Sequence, residues 1–250
     1  RGICSLRGVF VSHPDEDHMN GVLELLENGE EWGITAEQLF LPAIRESERR
    51  ETFEQLLAAA EDAGIPVNYI KCGDEIRDSQ LRLLCLHPEE NTTLADANAY
   101  SECFYVEVFA KKMKQEAIDD RKANDARGGS AIGKISILLT GDVEGEGERQ
   151  LMQELQALQE SQSLQESRSL QKSQSMQESR PLQTTRRLQE QRGQREFRVD
   201  ILKVAHHGSG YSTGTEFLAT VSPATAIISC GRNNSYGHPH AETLQRLEDA

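Results

Sequence analysis

The chain of 250 residues is long enough for one large domain or two small ones with a sizeable hydrophobic core. Its formal net charge of -14 excludes broad electrostatic attraction to nucleic acid or to anionic lipid. The five cysteines form no C-x-x-C pair, which indicates reduced thiols rather than a disulfide framework, and no apolar run approaches the roughly 18 residues of a membrane span.

Strand-like and helix-like segments alternate along the chain. Apolar patterns predict strands over residues 8–12, 38–41, 67–70, 81–86, 103–109, 134–139, 201–205 and 224–229. Helical spacing predicts helices over residues 19–26, closed by Asn28 and Gly29, from Ser47 to just before Gly64, and over 214–220 and 241–249. This mixture predicts a single α/β layered domain. Because the sequence begins with Arg1 and stops inside the last predicted helix, we expect the domain to be incomplete at both ends.

Two stretches interrupt the alternation. Residues 111–133 are charged, contain glycine and are too long for a hairpin loop, so we predict a loop insertion there. Residues 151–198 repeat Leu-Gln-Ser units, with leucine or methionine every six positions between Leu158 and Leu188. A period of six matches neither a helix face nor a heptad, so this stretch is predicted to be a low-complexity, disordered insertion with some helix at its start. A role for it in binding a protein partner stays open.

Six of the seven histidines fall in three clusters, each directly after a strand-like segment. The clusters are S-H-P-D-E-D-H with His13 and His18, V-A-H-H-G-S with His206 and His207, and Y-G-H-P-H with His238 and His240. In layered α/β domains the strand ends present their side chains at one edge, where binding sites gather. We therefore expect the three clusters to lie close together.

The first cluster offers four metal ligands within six positions, namely His13, Asp15, Asp17 and His18. Imidazole and carboxylate together suit zinc or manganese, and two close metals require a bridging acid. The candidate bridge is Asp142, directly after the apolar run I-L-L-T-G. Taken alone, the first cluster could equally be a polar turn with Asp17 at a helix N-terminus. Asp142 and the H-H-G-S motif together favour the metal site.

Four motifs, in this order, resemble those of the metallo-β-lactamase superfamily: S-H-P-D-E-D-H-M-N-G, L-L-T-G-D-V-E, L-K-V-A-H-H-G-S-G-Y-S-T and Y-G-H-P-H. More narrowly, they resemble the soluble hydrolase domain of ComEC-type competence DNA-uptake proteins and its stand-alone relatives. The resemblance covers about residues 6–247, apart from the two insertions. It implies an αββα sandwich with one or two divalent metal ions at one edge of the sheets. It also implies that the family's N-terminal strands are missing from this fragment.

The resemblance implies a ligand set. The implied ligands are His13 and Asp15 for a first metal, Asp17, His18 and His206 for a second, and Asp142 as the bridge between them. Asp15 stands where many superfamily members have histidine, which adds negative charge and favours Mn²⁺ alongside zinc. A further histidine that many members carry before the bridging acid is missing, with Asn98 or Ser101 nearby, so one metal is expected to be weakly held.

The resemblance also implies roles in catalysis and substrate binding. Asp17 and His238 are the predicted catalytic residues, His238 as a phosphate contact or as the proton donor to the leaving group. Substrate contacts are predicted for His207, Ser209 and Ser212, although the serines could equally form only the turn before the next helix. His240 is expected to cap the last helix.

Three functions are compatible with these residues. The first is hydrolysis of a phosphodiester by a metal-activated hydroxide, in a phosphodiesterase or nuclease linked to DNA uptake, with DNA or a nucleotide as substrate. The second keeps the metal site but acts on a lactone, thioester or β-lactam, and Asp15 with the H-H-G-S and G-H-P motifs points away from it. The third is a non-catalytic binding module with a degenerate metal site. The sequence favours the first.

Overall fold

The computed structural model describes residues 2, 4–90, 93–94, 96–109, 133–175 and 198–250. The strands are β1 (Ser5–Leu6), β2 (Val9–Phe10), β3 (Thr35–Ala36), β4 (Leu39–Pro42), β5 (Val67–Ile70), β6 (Glu75–Arg77), β7 (Leu81–His87), β8 (Cys103–Phe109), β9 (Lys134–Leu139), β10 (Ile201–Lys203) and β11 (Thr225–Ile227). The helices are α1 (Glu16–Trp32), α2 (Glu51–Asp62), α3 (Gly145–Ser175), α4 (Thr215–Val221) and α5 (Ala241–Glu248).

Most strands belong to two sheets. The larger sheet has the order β11-β10-β9-β8-β7-β6, with β9 to β11 parallel and β6 to β9 antiparallel. The smaller sheet, β2-β4-β5, is parallel throughout, and α1 and α2 supply the crossovers that parallel neighbours require. Strands β1 and β3 form a separate parallel pair.

Three clusters of buried side chains give the order of the layers. Along β8, Cys103 and Tyr105 pack on the side of α3 and α4, whereas Phe104 and Val106 face the smaller sheet. There the Phe104 ring meets Phe10 edge-on, with ring centroids 5.4 Å apart. A third cluster packs α1 and α2 on the other face of the smaller sheet. The layers are therefore helix, sheet, sheet, helix, and the predicted α/β sandwich is confirmed.

The larger sheet extends beyond the smaller one. By strand register, Ile135, Leu139 and Ile227 lie on the same inner face as Phe104. They are 49%, 38% and 51% exposed, against 5% for Phe104. The described residues thus leave the inner face over β9 to β11 partly uncovered. The expectation that strands of the family are missing from this chain stays a prediction.

Helix α1 does not end at Asn28 and Gly29, so that prediction was wrong. Gly29 is buried inside the helix, where a Cβ atom would lie 2.5 Å from the carbonyl oxygen of Ile34. The glycine is therefore required by close packing rather than by a turn. The helix ends instead at Gly33, which has the left-handed φ of 68° common at helix ends.

Helix α3 crosses the predicted boundary at residue 151. Leu151 and Leu155 are fully buried in the core, and Leu158 packs against them, whereas Leu164 is 59% exposed. Leu151, Leu155 and Leu158 are spaced by four and three, which is a helix face, and the period of six begins only at Leu158. The start predicted for the low-complexity insertion was therefore too early. Residues 176–197 lie outside the described residues.

The predicted loop insertion over 111–133 also lies, except for Gly133, outside the described residues. Within the described part of the chain, none of the helices combines the length and apolar character needed to span a membrane.

Candidate metal centre

The functional side chains follow the ends of three strands that share one edge of the sandwich. His18 lies in the first turn of α1, after β2, while Asp142 follows β9 and His207 follows β10. The structure brings these three residues together, and Asp17 joins them from the first turn of α1. Asp17, His18, Asp142 and His207 are called the four-residue group below.

Four ligand atoms of this group converge within 4.8 Å of one another. His18 Nε2 lies 3.2 Å from Asp142 Oδ2, 3.3 Å from His207 Nε2 and 3.7 Å from Asp17 Oδ2. His207 Nε2 is 3.2 Å from both carboxylate oxygens. Ligand atoms about 2.1 Å from a tetrahedral cation would be about 3.4 Å apart. The donor atoms and their spacing therefore fit one divalent cation.

Hydrogen bonding supports the same conclusion. His207 Nδ1 lies 2.7 Å from the carbonyl oxygen of Ser229, and because a carbonyl only accepts, Nδ1 carries the proton. In the neutral ring, Nε2 then presents a lone pair to Asp17 Oδ2 and Asp142 Oδ2, which are also acceptors. A cation between these three acceptors would satisfy them together, whereas a proton on His18 Nε2, 3.2 Å from Asp142 Oδ2 and 3.3 Å from His207 Nε2, would satisfy them only in part. The Ser229 carbonyl thus fixes the tautomer that a metal ligand needs.

Asp142 is the most buried member of the group, with its side chain 3% exposed. Its backbone N–H donates to Ser101 Oγ, and its Oδ1 lies 3.3 Å from Lys203 Nζ. Burial alone would raise the pKa of Asp142, but the hydrogen bond with His18 and the charge of Lys203 outweigh it and hold the pKa below its usual range. Asp142 is therefore a carboxylate at neutral pH.

The residue before Asp142, Gly141, has φ 51°, and a Cβ there would lie 2.7 Å from the Ser101 Cβ. Glycine is therefore required at this position.

The H-H-G-S motif forms a tight turn with unusual backbone angles. His206 and His207 have φ values of 44° and 52°, in the left-handed region that few residues other than glycine adopt. Gly208 continues it at 84°, where a Cβ would lie 2.7 Å from Pro239 Cβ. Consecutive left-handed residues separate the two histidine rings, whose planes are 69° apart. One of the two rings points into the four-residue group.

That ring is His207, and His206 as a metal ligand stays a prediction. His206 Nδ1 lies 2.8 Å from Glu144 Oε2 instead. Their hydrogen bond raises the pKa of His206 and lowers that of Glu144. The sequence could not separate the two histidines, because the choice depends on the backbone angles of the turn.

His13 and Asp15, the predicted ligands of a first metal, lie beside the four-residue group but outside it. The His13 ring centroid is 4.2 Å from that of His18, and Ser12 Oγ lies 3.1 Å from Nδ1 of both rings. Burial lowers the pKa of His13 to about 4. Asp15 Oδ1 accepts from Arg50 at 3.0 Å, which satisfies it without a metal. A second metal held by these residues stays a prediction.

The predicted substrate contacts have different outcomes. Ser209 and Ser212 are buried, and both make hydrogen bonds within the turn: Ser212 Oγ donates to the Ala205 carbonyl, and Ser209 Oγ accepts from the Tyr211 N–H. Contact of either serine with a substrate stays a prediction. His238 is near the site, with its ring centroid 5.4 Å from His206 and 6.4 Å from His207. Partial burial and the neighbouring His206 lower the pKa of His238. His240 occupies the N-cap position of α5, but its side chain makes no capping hydrogen bond.

Sequence reasoning missed several supporting residues. The main ones are Ser12, Arg50, Glu144, Lys203 and Ser229. Glu144 and Lys203 stand inside the motifs L-L-T-G-D-V-E and L-K-V-A-H-H-G-S, close to a ligand in sequence. A charged residue within a few positions of a ligand was the signal that could have identified these two supporting residues. Nothing in the sequence marked Ser229, because its contribution is the backbone carbonyl that accepts the hydrogen bond from His207 Nδ1.

No family model matches the chain. The chain is 28% identical to ComE operon protein 3 of Bacillus subtilis over 248 residues, which are 99% of this chain and 23% of that protein. The resemblance to ComEC-type proteins is confirmed. Recombination protein 2 of Haemophilus influenzae is 46% identical over 50 residues, 20% of this chain and 6% of that protein. The chain spans less than a quarter of the length of either curated relative.

Among solved structures, a metallo-β-lactamase from Staphylococcus aureus is similar over 61% of this chain and 44% of its own. The sequence identity is 10% and the TM-score is 0.24, which is too low to carry any argument about the site or the activity.

Proposed function

We propose that the chain is a metal-dependent hydrolase that cleaves phosphodiester bonds. The observation that carries the proposal is the convergence of two imidazole nitrogens and two carboxylate oxygens at one point. The group is open to solvent on one side, since the Asp17 side chain is 64% exposed and that of Asp142 only 3%. A site with one buried ligand and one side open to solvent is expected of a catalytic metal site rather than of a closed structural one.

The four-residue group would hold a divalent cation, zinc or manganese. When bound, such a cation makes water nucleophilic near neutral pH and polarises a phosphoryl oxygen. The chain's own residues prepare the site. Lys203 balances one oxygen of Asp142, so that the other stays available to the cation. The Ser229 carbonyl keeps the His207 Nε2 lone pair directed into the group.

Two features favour a phosphodiester over a lactone, thioester or β-lactam. The first is the histidine pair beyond the group, because the hydrogen bond with Glu144 raises the pKa of His206 and so favours the protonated ring, which suits an anionic substrate. His238 next to it is our candidate for contact with a phosphate or with the leaving group. The second is that one relative is named as a recombination protein, which favours DNA, a phosphodiester, as the substrate. The same name favours DNA over a small nucleotide. A place in DNA uptake, and a partner bound through residues 151–198, are parts of the same proposal.

The proposal is tested by metal analysis and a substrate panel. Purified protein should bind at least one divalent ion per chain and, with Mn²⁺ or Zn²⁺, hydrolyse bis-p-nitrophenyl phosphate faster than a chromogenic cephalosporin or a lactone. The variant Asp142→Asn should lose this activity, while the matched exposed control Asp62→Asn should keep it. Preferential cephalosporin turnover would contradict the proposed substrate. Less than one bound ion and no turnover would favour a non-catalytic module.

A further inference from the structure

Two tyrosine rings project into solvent from the loops that surround the metal centre. Tyr211 is 85% exposed and Tyr236 is 76% exposed, the highest values among the large hydrophobic side chains that the structure describes. Tyr211 lies two residues after the buried Ser209, and Tyr236 lies two residues before His238. Large aromatic surface left open beside a binding site is often used to bind a ligand.

The backbone under both rings is firmly held. His240 joins the two loops, because its Nδ1 accepts from the Gly210 N–H at 2.8 Å and its Nε2 donates to the Tyr236 carbonyl at 3.0 Å. Arg246 donates to the carbonyl oxygens of Gly210, Ser212 and Thr213. The loops that carry the two rings are therefore already ordered. Ligand binding would cost little further conformational entropy in them.

The ring of Tyr236 is also aligned with the site. It lies 5.7 Å from the His238 ring at an interplanar angle of 21°, and His238 lies 6.4 Å from His207 at 20°. The three rings form a nearly parallel series that runs from solvent to a member of the four-residue group. Flat groups stacked on this series would place the phosphates that connect them next to the metal centre.

We propose that Tyr236, with Tyr211 on the adjoining loop, is a stacking subsite for unpaired nucleobases of single-stranded nucleic acid. The proposal rests on the proposed function, because it deepens the phosphodiester assignment. Stacking on aromatic rings accepts any base and requires that the base be unpaired and accessible. The net charge of -14 leaves backbone attraction weak, so stacking must supply much of the affinity, and binding should depend less on salt than is usual.

The test compares cleavage of a single-stranded oligonucleotide with that of a matched oligonucleotide lacking its central bases, by Mn²⁺-loaded protein. Tyr236→Leu should raise KM for the base-bearing strand about 5- to 100-fold and leave the base-free strand unaffected. Tyr236→Phe, which keeps the ring, should behave like the unmodified chain. Trp32→Leu is the matched control, because it removes an exposed aromatic ring about 22 Å along α1 from Asp17.

Rapid-mixing fluorescence of a single-stranded oligonucleotide carrying 2-aminopurine gives a second readout that needs no turnover. Stacking on Tyr236 should quench the probe, and Tyr236→Leu should abolish the quenching. If both strands are cleaved equally well by Tyr236→Leu and by the unmodified chain, the stacking subsite is disproved while the hydrolase proposal stands. If neither strand is cleaved but the quenching depends on Tyr236, the hydrolase proposal fails and the subsite is supported. Absence of quenching by the unmodified chain overturns the subsite.

Discussion

Asp142 and Glu102 are buried carboxyl groups at adjoining strand ends, and their surroundings are opposite. Asp142 is 2% exposed and Glu102 is 1% exposed. Asp142 lies within 3.3 Å of His18, His207 and Lys203, and its pKa is held low. Neither carboxyl oxygen of Glu102 has a hydrogen-bond partner among the described residues, and burial raises its pKa well above the usual range.

The difference shows what makes a metal ligand at this edge of the sandwich. Burial alone disfavours the charged form of a carboxyl group, as it does at Glu102. Cationic and hydrogen-bonding partners are needed to keep a buried carboxylate charged, and only Asp142 has them. The edge therefore holds one carboxylate prepared for a cation and one buried carboxyl group whose charged form is disfavoured.

The largest expected effect is the loss of metal binding in Asp142→Asn. The substitution keeps the shape of the side chain but removes the negative charge of the most buried member of the four-residue group. Metal affinity should fall by more than about 100-fold, since even indirect partners of metal ligands are worth 10- to 100-fold. Calorimetric titration with Zn²⁺ or Mn²⁺ measures this. Glu102→Gln is the matched control and should bind metal normally, and equal affinities in the two variants would refute the assignment.

The histidine doublet provides the next test. His207→Ala removes a ring nitrogen that faces Asp17 and Asp142, so metal affinity should fall about 100-fold, whereas His206→Ala should lower it less than about 10-fold. The same titration checks both variants. A larger loss in His206→Ala would favour His206, the ligand expected from the sequence.

The contrast between His206 and His207 also marks what a sequence can predict. The strands Cys103–Phe109 and Lys134–Leu139 were predicted to the residue, because long apolar runs specify strands strongly. The cluster of Asp17, His18 and Asp142 was predicted because ligand types at strand ends carry a chemical pattern. The position of His207, rather than His206, in the four-residue group was not predicted, because the left-handed backbone angles of the turn decide it. Likewise, the burial of Glu102 follows from packing between the sheets.

Glu102 should make stability depend on pH. Its pKa is higher in the folded than in the unfolded state, so the folded state binds more protons above about pH 4.3, and its contribution to stability is lost as pH rises toward the raised pKa. Glu102→Gln cannot titrate and should flatten this slope. Glu102→Met also removes the unpaired polar atoms and should stabilise the protein by about 1–3 kcal/mol at pH 8. Urea unfolding of metal-free protein at pH 5 and pH 8 measures both effects, and a stability loss at pH 8 in both variants would show that Glu102 has a partner.

The smallest expected effect concerns Asp15, a third carboxyl group whose situation is intermediate. It is 33% exposed, and Arg50, at 3.0 Å and itself 53% exposed, satisfies one of its oxygens. Because solvent screens this pair, Arg50→Met should change stability by less than about 1 kcal/mol and metal affinity by less than about fivefold. Thermal unfolding and metal titration check the two values. A rise in the number of bound ions from one to two would show that Arg50 occupies the place of a second cation beside His13 and Asp15. A tenfold loss of affinity would instead mean that the ion pair holds the first turn of α1, with Asp17 and His18, in position.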